Sequence, residues 1–164
     1  MVVAEDLLPF FEPLVCYRPR KDTRRIIVHE SHTGPEVTRV VPYLRAKGRA
    51  NGLLEIGYHV VIDLDGNTTV TRPLHVIGSH APGCNHDSIG ICLAADKAWD
   101  YRAQWTQVDA FRRIVQRLRD TYGPLQVVGH DEALRRAKQD HKCPSFDMRE
   151  MRSITNPDNQ EEPT

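Results

Sequence analysis

A run of β-branched residues near the amino terminus, Ile26-Ile27-Val28, ends directly on His29. A short apolar run of this kind predicts a buried strand. A second apolar run, residues 125–128, is followed two residues later by His130. Residues at strand ends can converge at one edge of a sheet, where the ligand sites of α/β proteins lie. The two histidines are therefore candidates for a common site.

The other segments alternate between strand and helix patterns. Residues 58–64 and 68–72 flank the turn Asp65-Gly66 and predict a β-hairpin. Residues 89–93 predict another short strand. Apolar residues recur at helical spacing within residues 35–47, although Pro42 weakens that helix prediction.

The clearest helix pattern begins near Thr106, which forms a capping-box pattern with Asp109, and ends at Gly123. A last helix is predicted after Asp147, which is a suitable N-cap. We therefore predict an α/β fold: a single domain with a central mixed sheet of about five strands, flanked by about three helices. The domain is expected to span residues 14–154, with residues 1–13 and 155–164 loosely ordered.

Composition excludes several classes of protein. Among 164 residues, 22 are Lys or Arg and 22 are Asp or Glu, so the formal net charge is zero. This balance argues against a nucleic-acid binder that relies on a strong basic field. No run approaches the ~20 apolar residues that span a bilayer. Acidic residues and prolines in residues 1–14 do not match a secretory signal, which predicts a cytoplasmic protein.

The four cysteines show no CxxC spacing, so they are interpreted as reduced thiols or metal ligands. Cys143 follows His130 by thirteen residues. Two imidazoles and one thiolate suit zinc, and three protein ligands leave a fourth position open. The alternative is that the two histidines only cap strands and the thiol is buried, because free cysteine is often buried.

Six short segments occur in a fixed order, and together they resemble a known family. They are Val28-His29-Glu30-Ser31, Ile56-Gly57-Tyr58-His59, Ile77-Gly78-Ser79-His80-Ala81, Asn85-His86-Asp87-Ser88-Ile89-Gly90-Ile91-Cys92-Leu93, Gly129-His130-Asp131-Glu132 and Cys143-Pro144-Ser145-Phe146-Asp147. This order is similar to that of the type-2 N-acetylmuramoyl-L-alanine amidases, which include phage lysozymes and are related to animal peptidoglycan recognition proteins.

The resemblance implies a set of site residues. The zinc ligands of the family fall on His29, His130 and Cys143. The family's tyrosine beside the metal falls on Tyr58, which implies a catalytic role at the attacked carbonyl. His80 lies in a segment that borders the substrate groove in the family, and it is a candidate for contact with substrate.

One departure concerns the cation that would stabilise the developing oxyanion. The phage members carry a lysine two residues before the ligand cysteine, whereas His141 stands there in this chain. We favour His141 for that catalytic role. Lys142, immediately before Cys143, is the alternative, and the third possibility is that neither residue acts.

The resemblance further implies the activity. The expected reaction is zinc-dependent hydrolysis of the amide bond between N-acetylmuramic acid and L-alanine in peptidoglycan, carried out by a phage endolysin. A monomer is the default expectation for its oligomeric state. The protein would collect in the host cytoplasm and reach the wall through a membrane pore made by another protein. One alternative is a module that binds muropeptide without cutting it. The other is a regulator that binds the phage RNA polymerase.

Overall fold

The computed structural model describes residues 16–96, 98–100, 104–134 and 142–156. Within these ranges, five strands form one sheet in the order β3-β2-β4-β1-β5. The strands are β1 (Arg25–Glu30), β2 (Val60–Ile62), β3 (Thr68–Val70), β4 (Ser88–Leu93) and β5 (Gln126–Gly129). β1 is parallel to β4 and β5, β2 is parallel to β4, and β2 and β3 are antiparallel. The predicted mixed sheet of five strands is confirmed.

Four α-helices lie in the described part of the chain. They are α1 (Val40–Ala50), α2 (Trp105–Tyr122), α3 (His130–Ala133) and α4 (Met148–Ile154). The prediction of about three helices missed α3, because a single turn is too short to show helical periodicity. None of the helices in the described ranges has the length and hydrophobicity needed to cross a bilayer.

Helix boundaries follow local chemistry in most places. Pro42 lies in the first turn of α1, where its missing N–H group costs little, so the helix forms around it. α2 ends where Gly123 adopts a φ of 79°, as predicted. The predicted cap at Thr106 is wrong, because α2 begins at Trp105 and its N-cap residue is Gln104. Asp147 caps α4 as predicted, since its side chain accepts from Arg149 N–H.

The two faces of the sheet carry different layers. Alternate residues of each strand point to opposite faces, which separates the core into two clusters. The larger cluster joins one face of the sheet to α2 and α4, and it includes Ile26, Val28, Ile89, Ile91, Phe111, Val115 and Met151. The smaller cluster joins the other face to α1, and it includes Val40, Leu44, Val61 and Cys92. His29 alternates with Val28 and is the strand partner of Cys92, so it lies on the α1 face.

Candidate metal centre

His29 occupies the penultimate position of β1, a strand that is buried from Ile26 to Glu30. The strand runs between two parallel neighbours, which explains why its central residues, Ile26, Ile27 and Val28, are apolar. His29 is 2% exposed, so its imidazole must satisfy its nitrogens inside the protein.

His130 follows β5 directly and is the first residue of α3. Glu132 closes this turn by accepting from Gly129 N–H at 2.9 Å. A Cβ atom on Gly129 would lie 2.9 Å from Pro144 Cδ and 3.0 Å from Met148 Cγ. Glycine at this position therefore allows the segment after Cys143 to pack against the end of β5.

Cys143 is fixed to the same turn through its backbone. Its N–H group donates to Asp131 Oδ2 at 2.7 Å, and its carbonyl accepts from Asp131 N–H at 3.0 Å. The reciprocal pair holds the cysteine next to His130, although twelve residues separate Cys143 from Asp131.

The structure brings His29, His130 and Cys143 together. One ligand atom from each lies within 4.8 Å of the others. Cys143 Sγ is 4.0 Å from His29 Nδ1, and the rings of His29 and His130 have centroids 4.7 Å apart. The buried Nε2 atom of His130 has no hydrogen-bond partner of normal geometry. A buried nitrogen without a partner is rare, and a metal ion would satisfy it.

The surroundings favour the protonation states that bind metals. Burial holds the pKa of His29 well below its ordinary value, and the nearby His80 and His130 rings lower it further. Burial alone would raise the pKa of the Cys143 thiol, but the neighbouring His130 and His32 rings outweigh it and the net pKa is lowered. Neutral imidazole and thiolate are the forms that coordinate zinc.

His80 lies behind His29. Its Nδ1 atom is 3.0 Å from His29 Nε2, and the two rings meet edge to face. The ring occupies a slot between two glycines, because a Cβ atom on Gly78 or Gly90 would lie within 2.4 or 2.7 Å of it. His80 is 9% exposed, so its visible role is to orient His29, and contact with substrate stays a prediction.

Tyr58 lies beside the same cluster. Its ring centroid is 4.9 Å from that of His29. Burial raises the pKa of the Tyr58 hydroxyl, and neighbouring Cys92 and Cys143 add to that effect. The phenol therefore remains protonated and can donate a hydrogen bond. A cavity of about 140 Å³ opens next to it, lined by residues of α1 and by Ser31, His32 and Ser79.

Two residues near the cluster were missed in the sequence. The side chain of His32 is 48% exposed, and its ring is one of the neighbours that lower the pKa of the Cys143 thiol. Glu30 is 1% exposed, and its carboxylate lies 2.7 Å from His32 Nδ1. The sequence did carry a signal for Glu30, which is an acidic residue at the end of a predicted buried strand. A buried carboxylate requires partners, so other polar groups were to be expected near it.

The structure describes one of the two candidate cations. His141, favoured from the sequence, lies outside the described residues. Lys142 is exposed at the edge of the described segment that carries Cys143.

A family model described as N-acetylmuramoyl-L-alanine amidase matches residues 19–146. The chain belongs to the N-acetylmuramoyl-L-alanine amidase family. The endolysins of Enterobacteria phage T3 and Escherichia phage T7 are each 34% identical to this amidase-family chain over 139 residues, covering 82% of the chain and 89% of each relative. The endolysin of Enterobacteria phage K11 is 31% identical over 138 residues.

Solved structures share the fold of this amidase-family chain at lower identity. The amidase LysC from Clostridium intestinale URNW has a TM-score of 0.68 and 22% identity, and the alignment covers 85% of this chain and 93% of LysC. Drosophila PGRP-LB has a TM-score of 0.65 and 22% identity, and 79% of each chain is covered. These likenesses establish the fold, which is the amidase and recognition-protein fold predicted from the six segments.

Proposed function

We propose that this protein is a zinc-dependent amidase that hydrolyses the bond between N-acetylmuramic acid and L-alanine in peptidoglycan. The observation that carries the proposal is the convergence of ligand atoms from His29, His130 and Cys143 within 4.8 Å of one another. The expected substrate follows from family membership. The three converging side chains would hold the zinc ion that hydrolysis requires.

The residues fit zinc rather than a harder metal. Two imidazoles and one thiolate form a donor set typical of catalytic zinc, whereas calcium and magnesium prefer oxygen ligands. The unpartnered His130 Nε2 atom and the low pKa of His29 support the same choice. A zinc ion with three protein ligands supplies a Lewis acid that polarises a carbonyl and makes water more acidic.

The chain itself would bind and orient the substrate. We place the attacked carbonyl in the cavity beside Tyr58, where the protonated hydroxyl can donate to the oxygen as negative charge develops. His80 would keep the His29 ring in position through the contact between their nitrogens. His141 would supply a positive charge close to Cys143, with Lys142 as the alternative.

We place this activity in phage-induced lysis of a bacterial host, because the relatives of Enterobacteria phage T3 and Escherichia phage T7 are named endolysins. The protein would then act on the wall after release from the host cytoplasm. A monomer and an additional complex with the phage RNA polymerase stay predictions, and no contact among the described residues favours the latter.

The decisive experiment is digestion of purified peptidoglycan followed by mass spectrometry of the products. We expect free stem peptides that begin with L-alanine, intact glycan strands and about one zinc per chain. Cys143→Ser should abolish both cleavage and zinc binding, whereas Cys16→Ser, which changes an exposed thiol, should leave both intact.

Other products would refute the assignment. New reducing sugar ends without new L-alanine amino groups would identify a glycosidase. Tight retention of muropeptide with no cleavage by the zinc-loaded protein would identify a binding module.

A further inference from the structure

Thr71 and Arg72, the two residues that directly follow β3, contact the backbone around Tyr58. The hydroxyl of Thr71 donates to the carbonyl of Tyr58 at 2.9 Å. The backbone N–H group of Thr71 donates to the carbonyl of the next residue, His59, also at 2.9 Å. Thr71 is therefore bonded to two successive peptide groups, and these bonds fix the direction of the chain at Tyr58.

Arg72 joins the segment before Tyr58 to a second segment. Its Nε and Nη2 atoms donate to the carbonyl of Ile56 at 3.3 and 3.2 Å, and its Nη1 atom donates to the carbonyl of Ile77 at 3.1 Å. The guanidinium also lies over the ring of Tyr17, 4.9 Å from the ring centroid. A guanidinium is planar and presents its N–H groups in a rigid fork, so Arg72 sets the distance between the two carbonyls.

The two joined segments lead to side chains beside the candidate metal centre. Ser79 N–H donates to the carbonyl of Gly57 at 3.0 Å, and a Cβ atom on Gly57 would lie 2.0 Å from the Ser79 carbonyl oxygen. Tyr58 follows Gly57 and His80 follows Ser79, and the centroids of their rings are 6.5 Å apart. The Tyr58 ring also lies 4.9 Å from that of His29. The placement of these segments therefore decides where the phenol lies relative to the metal centre.

We propose that Thr71 and Arg72 are positioning residues for the Tyr58 hydroxyl, and that neither needs to touch the substrate. This inference rests on the proposed function, in which Tyr58 donates to the oxygen of the attacked carbonyl. Such a donor is effective because it is already aimed at the place where charge develops. A displacement of about 1 Å that originates far from the chemistry can lower a rate by about 100-fold.

Thr71→Val tests the proposal, because it removes the hydroxyl and keeps a branched side chain. We expect kcat for a defined muropeptide to fall about tenfold, less than the ~100-fold that a displacement of ~1 Å can cost. KM should stay close to that of the wild type, since the affected hydrogen bond strengthens in the transition state. Thr71→Ser keeps the hydroxyl and should restore kcat. Thr121→Val is the matched control: it loses a 2.9 Å hydrogen bond to the carbonyl of Arg117 in α2 and should keep the wild-type kcat.

A double-mutant cycle separates positioning from a general loss of structure. In Tyr58→Phe the hydroxyl that Thr71 positions is already absent, so adding Thr71→Val should lower kcat no further. A further tenfold loss in the double variant would overturn the proposal, as would a Thr71→Val variant with the wild-type kcat. Arg72→Lys keeps the positive charge and loses the fork, and its effect on kcat should show the same dependence on Tyr58.

A second readout does not depend on activity. In full-length protein with ¹³C-labelled tyrosine, the NMR signal of the Tyr58 ring is identified by its absence from Tyr58→Phe. This signal should shift in Thr71→Val and in Arg72→Lys, and it should keep its wild-type position in Thr121→Val. An unmoved signal in Thr71→Val would refute the positioning role. If the shifts occur but the wild-type protein cleaves no peptidoglycan, the proposed function fails and the positioning of Tyr58 remains.

Discussion

At the scale of single residues, the protonated Tyr58 hydroxyl has the clearest expected effect. Tyr58→Phe removes the proposed donor to the carbonyl oxygen and keeps the ring that packs on His29. Loss of one such donor lowers kcat by about 100- to 1000-fold. Zinc content should not change. Kinetics with a defined muropeptide and elemental analysis would measure the two quantities.

Tyr122→Phe is the control for Tyr58→Phe, because Tyr122 lies at the end of α2 and outside the metal centre. It should retain the wild-type kcat. A Tyr58→Phe variant with undiminished kcat would mean that the carbonyl is stabilised by other groups.

The choice between His141 and Lys142 can be settled by two alanine variants. His141→Ala should lower the rate by about 100- to 1000-fold with normal zinc content, if it supplies one oxyanion partner. Lys142→Ala should be mild, because Lys142 is exposed at the edge of the described segment. The reverse pattern would assign the charge to Lys142. Two mild variants would leave Tyr58 and the metal as the groups that stabilise the oxyanion.

At the scale of elements, β4 is shaped to receive a histidine ring. Gly90 lies in the middle of this strand, and a Cβ atom there would come within 2.7 Å of the His80 ring. Gly90→Ala should therefore displace His80 from its position behind His29. We expect a loss of about 1–3 kcal/mol in unfolding free energy from overpacking. Zinc affinity should fall too, since His29 loses its orienting partner.

Gly48→Ala is the matched control for the stability of Gly90→Ala. Gly48 lies in α1, and its nearest neighbours to an added Cβ atom are at an ordinary 3.8 Å. Alanine is favoured over glycine in a helix by up to about 1 kcal/mol, so this variant should be as stable as the wild type or more stable. Urea unfolding of both variants would measure the difference, and equal stability of Gly90→Ala and the wild type would contradict the account.

At the scale of the whole molecule, His59 should make folding sensitive to acid. Its buried ring accepts from Gly90 N–H at 2.9 Å, and its Nε2 atom lies 3.0 Å from the carbonyl of Val76. Burial, together with the smaller effect of the facing Arg20 and Arg72, lowers the pKa of His59 to about 4. His80 packs against the same ring.

The sign of the pH dependence follows from this depressed pKa. The unfolded chain binds a proton near pH 6.5, whereas folded His59 resists it until about pH 4. The contribution of neutral His59 to the free energy of unfolding is therefore complete above pH 6.5. It is lost as the pH falls toward 4, by about 3 kcal/mol in total. Urea unfolding of metal-free protein at several pH values would measure it. His59→Asn should show a smaller loss on acidification, and equal losses in both proteins would contradict the assignment.

The carboxyl-terminal boundary of the domain can also be tested. We propose residues 14–154 as the folded unit, but Thr155 is buried and its carbonyl accepts from the Arg119 side chain. A chain of residues 14–156 should therefore be more stable than one of residues 14–154 by about 1 kcal/mol, the usual net value of a hydrogen bond. Thermal unfolding of both chains would show whether Thr155 belongs to the domain.

The sequence by itself determined the order of strands and helices, because β-branched runs, turn residues and helical periodicity are local signals. It also determined which residues to suspect as ligands, since His29 and His130 follow apolar strands and Cys143 lies in a motif shared with the family. The strand ends were predicted to within a few residues. The single-turn helix α3 was not predicted, because it has no periodicity of its own.

Only the tertiary structure decided how the side chains around those ligands are arranged. His80 orients His29 because two glycines, one on β4 and one in a loop, leave room for its ring. Glu30 reaches Ser145 across 115 positions of the chain, and that contact exists only once β1 lies against the segment after Cys143. Local patterns report local preferences, whereas such contacts depend on strand pairing and on the packing of distant segments. The link between Glu30 and the segment after Cys143 could therefore be recognised only in the folded chain.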